Sequence, residues 1–182
     1  MIVRPLLAAL VVIFAITGCT AEEEPPATLP SVTAEPTPTV TIPPPPPETD
    51  GEDNVAAAEF AKYYLRVLSA AFQAGDPAPV RALSHPECDS CGNLIAFLDE
   101  LQAAEQRVEG AEYAVSLAVA PADQASDVVV DLRYEIAAGR VLASDGSVVR
   151  ELPEEPATNA QMRVLREPSG WVTRGFRLAT GE

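Results

Sequence analysis

The sequence predicts an α+β domain over residues 55–182, with N-terminal helices packed on an antiparallel sheet. Two observations point there. Between residues 55 and 108 apolar side chains recur at spacings of three and four, the period of a helix with one buried face. From Tyr113 onward the period drops to two, that of a strand with one buried face. Helices first and strands afterwards is the α+β order. A third observation sets the boundary: residues 20–54 carry neither period and hold ten of the eighteen prolines.

The first helix is expected to begin near Val55, with Asn54 or Asp53 as its cap. Phe60, Tyr63, Tyr64, Val67, Leu68, Ala71 and Phe72 form its apolar face, and Gly75 ends it. Asp76-Pro77 starts a short turn of helix running to Leu83. A second long helix starts near Asp89 or Ser90, carries Leu94, Ile95, Leu98, Leu101 and Val108 as a stripe, and closes at Gly110.

The strands follow. Tyr113, Val115, Leu117 and Val119 alternate along one, and a turn at Pro121-Ala122-Asp123-Gln124 leads to the next. There Val128, Val130, Leu132, Tyr134 and Ile136 face one way and Asp131, Arg133 and Glu135 the other. Asp145-Gly146 is a hairpin tip between Val141-Leu142 and Val148-Val149. Met162 and Val164 lie in a further strand, and Pro168-Ser169-Gly170 turns into the last, from Trp171 to Leu178. The expected sheet is a continuous antiparallel meander.

Composition narrows the function classes. Of 182 residues 47% are apolar but only 5% aromatic, so the core is built from Ala, Val and Leu. The formal net charge of −15 repels nucleic-acid phosphates and anionic membrane surfaces, which sets aside DNA or RNA as a partner.

Residues 1–18 read as a signal peptide. One Arg precedes an eleven-residue apolar run from Leu6 to Ile16. As a helix it would rise about 17 Å, well short of a hydrocarbon core of about 30 Å. Ile16-Thr17-Gly18-Cys19 resembles the lipobox of bacterial lipoprotein signal peptides. The resemblance implies cleavage before Cys19, a diacylglyceryl thioether on its sulfur, and a lipid anchor on the extracytoplasmic face of the cell membrane. Two acyl chains hold a protein stably where one is marginal. Residues 19–54 would then be the lipidated cysteine and a disordered Pro/Thr/Glu-rich tether, partly polyproline II.

The element order and the length of the domain are similar to NTF2-like and SnoaL-like domains, in which helices fold over the concave face of a curved sheet to make a cone. The spans FAKYYLRVLSAAFQAGDPAPVRALSHPECDSC and LIAFLDELQAAEQRVEGAEY more closely resemble the DUF6318 type of uncharacterised actinobacterial lipoproteins, over roughly residues 55–180. The resemblance implies a cone pocket lined by the first helix and the inner strand residues. It supplies no catalytic residue and no cofactor.

His85, Cys88 and Cys91 form the one dense cluster of chemistry-bearing residues. With Cys19 lipidated, Cys88 and Cys91 are an even pair in an oxidising compartment and are expected to form a disulfide. Two sharper readings stay open. A redox centre would use a thiolate favoured by the start of the following helix, although no strand precedes Cys88 as in thioredoxin-like motifs. A zinc site would need His85, both thiolates and Asp89 or Glu87 as the fourth ligand. His85, just before Pro86, is expected in an extended or turn conformation.

No Ser-His-Asp order, phosphate loop or His-Glu-x-x-His motif occurs. A SnoaL-like enzyme, isomerase or hydrolase, would have to pair Tyr63 or Tyr64 with Asp131 or Tyr134. The leading expectation is a non-catalytic module that binds an envelope protein or a small apolar ligand.

Overall fold

A computed structural model describes residues 40–46, 54–122 and 127–179. The expected signal peptide, the lipobox with Cys19, most of the tether and Asp53 lie outside the described residues.

Three helices come first, α1 (Asn54–Ala74), α2 (Ala78–Ala82) and α3 (Asp89–Ala103). Seven strands follow: β1 (Arg107–Gly110), β2 (Tyr113–Val119), β3 (Asp127–Ile136), β4 (Gly139–Leu142), β5 (Val148–Leu152), β6 (Glu155–Glu167) and β7 (Gly170–Leu178). All strand pairs are antiparallel. This is the expected α+β arrangement, with helices packed on antiparallel sheet.

α1 is the centre of the core. Of its 21 residues, 14 are buried, including the whole predicted apolar face and also Ala57, Ala61 and Leu65. A helix covered on nearly every side behaves as a core element rather than a surface amphipath. Burying side chains such as Phe60, Leu65 and Leu68 contributes about 1.5–3 kcal/mol each. At its start the Asn54 side-chain amide donates to the Pro121 carbonyl, which ties the helix to the end of β2. At its end Gly75 has φ +64, and Asp76 N–H donates back to the Ala71 carbonyl at 3.1 Å. In α2 the Asp76 carboxylate accepts from Ala78 N–H at 2.9 Å.

Three features differ from the sequence expectation. α3 ends at Ala103, not at Gly110, because Glu105 enters the left-handed region at φ 52 and Gln106 N–H closes on the Leu101 carbonyl at 2.8 Å. The next four residues become β1, so Val108 is buried from a strand and not from the helix. The meander is also two sheets, ordered β1-β4-β5 and β2-β3-β6-β7. The hairpin β4–β5 pairs back to β1, and β3 pairs directly with β6. Finally, β2 carries a bulge between Val115 and Leu117. One extra residue reverses the faces, so Leu117 and Val119, expected in the core, are each 49% exposed.

Residues 40–46 carry no regular secondary structure and lie against the domain. Ile42 packs on the core, and the Tyr63 hydroxyl donates to the Pro43 carbonyl at 3.2 Å.

Gly75→Ala tests the α1 terminus. An added Cβ would stand 2.6 Å from the Gln106 carbonyl oxygen at a φ that disfavours side chains. The variant is expected to lose about 1–3 kcal/mol in denaturant unfolding.

Candidate functional site

The segment from Leu83 to Cys91 is laid along the outer edge of β7. Thr173 N–H donates to the Leu83 carbonyl and His85 N–H donates to the Thr173 carbonyl, both at 2.8 Å, making a short parallel bridge. The chain then turns, Cys88 N–H donating to the His85 carbonyl at 2.9 Å. Cys88 is the N-cap of α3, its sulfur accepting from Cys91 N–H at 3.2 Å. Within the same first turn of α3 the Ser90 hydroxyl oxygen accepts from Phe176 N–H at 2.8 Å. An edge strand otherwise presents unpaired backbone groups; here the turn and the first residues of α3 satisfy those of Thr173 and Phe176.

Cys88 and Cys91 are joined by a disulfide, with Cα atoms 5.2 Å apart. Their exposures are 3% and 0%, so neither sulfur offers a thiol partner a line of attack. The Cys91 sulfur lies 3.8 Å from the Thr173 carbonyl oxygen. An oxidised sulfur has no proton to donate, so this is a packing contact. The zinc arrangement is not assembled either. The sulfurs bond each other, and His85 Nδ1 accepts from Glu87 N–H at 3.1 Å. His85 Nε2 faces Glu167 Oε1 at 3.8 Å, and the Glu87 carboxylate accepts from Arg174 at 2.8 Å. No group of three metal-ligating side chains occurs among the described residues.

Of the four residues weighed for an enzyme, Asp131 is set apart from the tyrosines on the other face of the sheet. Tyr64 is 1% exposed, and its hydroxyl lies 3.2 Å from Ser84 Oγ. The Ser84 proton goes to the Val80 carbonyl at 2.7 Å, so Tyr64 is the donor. Tyr63 points to Pro43 instead. Asp131 and Tyr134 are three residues apart on β3 and so face opposite sides of the sheet. Tyr134 is buried, whereas Asp131 is exposed and accepts from Gln161 at 2.9 Å.

Tyr134 belongs to an aromatic cluster with Tyr113 and Phe176, ring centroids 5.4 and 5.9 Å away. Burial, with the Glu155 carboxylate nearby, holds both tyrosine hydroxyls above their ordinary pKa. This cluster was not apparent from the sequence, because it depends on the β2–β3 and β6–β7 registers.

Among the described residues, the space where the pocket was expected is occupied by side chains. Tyr64, Leu65, Leu68, Val128, Val130 and Met162 are all under 2% exposed and fill the space between α1 and the inner sheet face. Two grooves lie on the surface instead. The larger, about 650 Å³, runs beside the first turn of α3 on the outer face of β3, β6 and β7. Arg163, Arg174 and Arg177 line it against Glu87, Asp89 and Asp127. The Asp127 carboxylate accepts from Arg163, which holds its pKa below the usual carboxylate range, and Arg177 donates to Gln161. The smaller groove, about 430 Å³, lies between α3 and the β4–β5 hairpin, where Arg150 stands 5.6 Å over the Phe97 ring. Both signs of charge in the larger groove suit a polar protein surface better than an apolar small molecule.

Residues 27–177 match the family model described as a family of unknown function, DUF6318. The chain belongs to the DUF6318 family. Among curated proteins none matches it.

In fold this DUF6318 domain is similar to the intermembrane space region of the chloroplast protein ARC6, at 9% identity and TM-score 0.52, covering 71% of this chain and 98% of that one. Weaker likenesses reach a putative aromatic ring hydroxylase from Novosphingobium aromaticivorans (11% identity, TM-score 0.45, 67% and 87% covered). Another is a putative dehydratase from the NTF2-like family of Streptomyces avermitilis (12% identity, TM-score 0.40, 69% and 96% covered). The DUF6318 match begins at residue 27, inside the span read from sequence as tether.

Replacing both cysteines (Cys88→Ala with Cys91→Ala) checks the clasp. So short a ring is expected to cost about 2 kcal/mol of stability when removed. In the unaltered protein the disulfide should resist dithiothreitol until the domain unfolds, as read by thiol alkylation and mass. Rapid reduction of the native fold would point to an exchanging pair.

Proposed function

We propose that this DUF6318 protein is an extracytoplasmic lipoprotein, anchored in the cell membrane through Cys19. Its NTF2-like domain serves as a non-catalytic binding module for another protein of the cell envelope. The observation that carries the binding role is the filled core: among the described residues, α1 and the inner strand residues occupy the space where the resemblance implied a pocket. Binding then falls to the surface. The groove beside α3 is favoured because its walls are fixed by the disulfide turn and by the β7 edge. The lipobox-like Ile16-Thr17-Gly18-Cys19 supports the anchor, and the buried disulfide fits an oxidising compartment.

The test is made in intact cells. Cys19→Ala is expected to move the protein out of the membrane fraction or to leave it unprocessed, and the mature unaltered chain should begin with an acylated cysteine by mass. A cross-linked pull-down with the lipidated protein should retain an envelope partner that Arg177→Glu loses. Unchanged membrane fractionation of Cys19→Ala would contradict the anchor, and identical captures with Arg177→Glu would contradict the groove.

A further inference from the structure

The proline run in front of the domain has a pattern of burial that a passive spacer does not need. Val40, Pro43 and Pro46 are half-buried, while Thr41 and Pro44 are exposed. Polyproline II repeats every three residues, so positions 40, 43 and 46 share one edge of such a helix and 41 and 44 share another. Ile42 packs against the core, and Pro45, three residues on, is exposed. Five consecutive prolines at 43–47 restrict the backbone toward this form before it docks, which lowers the ordering entropy.

The receiving surface has matching chemistry. Phe60 and Tyr63 of α1 lie with ring centroids 6.5 Å apart. Proline carbonyls have no neighbouring N–H to satisfy them, so an aromatic hydroxyl is a fitting donor, and Tyr63 donates to Pro43 at 3.2 Å. Under the strap Tyr63 is only 6% exposed. Its hydroxyl is held above its ordinary pKa by desolvation, with Arg66 opposing. The family match starts at residue 27 and so includes this segment.

We propose that the α1 face carrying Phe60 and Tyr63 is a recognition site for a proline-rich polyproline II segment, and that residues 40–46 of the same chain are its ligand. The folded unit then includes residues 40–46. Any partner that approaches this face must first displace the strap. The inference does not depend on the lipid anchor.

Trypsin cleaves after Lys62 and Arg66, so Tyr63 and Tyr64 are released in one four-residue peptide whose modified tyrosine is assigned by fragmentation. Nitration by tetranitromethane of the full-length chain is the readout. Tyr63 is expected to react slowly in the unaltered protein and at least about tenfold faster in Ile42→Asp, the change that about 1.4 kcal/mol of docking would produce. Tyr64, bonded to Ser84 inside the core, should stay protected in both. A synthetic VTIPPPP peptide at millimolar concentration should restore protection of Tyr63 in Ile42→Asp, and the same peptide carrying Asp at the Ile position should not. Equal Tyr63 rates in the two chains, or no effect of the peptide, would overturn the proposal. If Tyr64 also becomes reactive, the variant has opened the domain. Ile42→Ala then replaces it, and the same Tyr63 contrast is required of that chain.

Discussion

The packing of α1 against the inner face of the β2-β3-β6-β7 sheet is the interaction on which the rest of the domain depends. Small residues let the helix sit deep: Ala57, Ala61 and Ala71 are fully buried, and Leu65, Leu68 and Tyr64 fill what remains toward Val128, Val130 and Met162. The core therefore needs few aromatics, in keeping with their 5% share of the chain. Among the described residues, a helix seated this deeply fills the space against Val128, Val130 and Met162. Interiors are packed at near-crystalline density, so space given to α1 is not available to a ligand. The charged residues of the larger groove are found on the outer face of the sheet.

The second constraint is the edge of that sheet. β7 ends the order β2-β3-β6-β7, and the segment from Leu83 to Ser90 satisfies its Thr173 and Phe176 backbone groups. The disulfide holds the turn that makes this possible and sets the first turn of α3, which in turn forms one wall of the charged groove. A structural bond and a candidate binding surface are thus parts of one local arrangement. α1 is also covered at Tyr63, where residues 40–46 lie against it.

Much of this was legible in the residues themselves. The apolar face of α1 from Phe60 to Phe72, the stop at Gly75, the inward set of β3 and the hairpin at Asp145-Gly146 all follow from local period and turn chemistry, and the structure has them. What escaped depends on partners distant in sequence. Ala104-Glu105-Gln106 contains no helix-stopping residue, and Arg107–Gly110 is too short to show alternation, so β1 was read as helix. The bulge that turns Leu117 outward is set by pairing with Arg133, which no local pattern reports. The Cys88–Cys91 turn could be read from spacing, whereas its seat on Thr173 could not. For the same reason Tyr64 and Asp131 looked like a possible pair until the pleat placed Asp131 on the outer face.

The central claim is that the cone is filled and that function lies on its surface. Binding of a small apolar probe such as benzene, followed by methyl and aromatic NMR shifts, tests it most directly. The unaltered protein should show no saturable shifts at Tyr64, Leu68 or Met162. Leu68→Ala, which opens a cavity beside α1, should destabilise the domain by about 2–5 kcal/mol and gain a saturable site. Saturable binding by the unaltered protein, with shifts at those interior residues, would contradict the account.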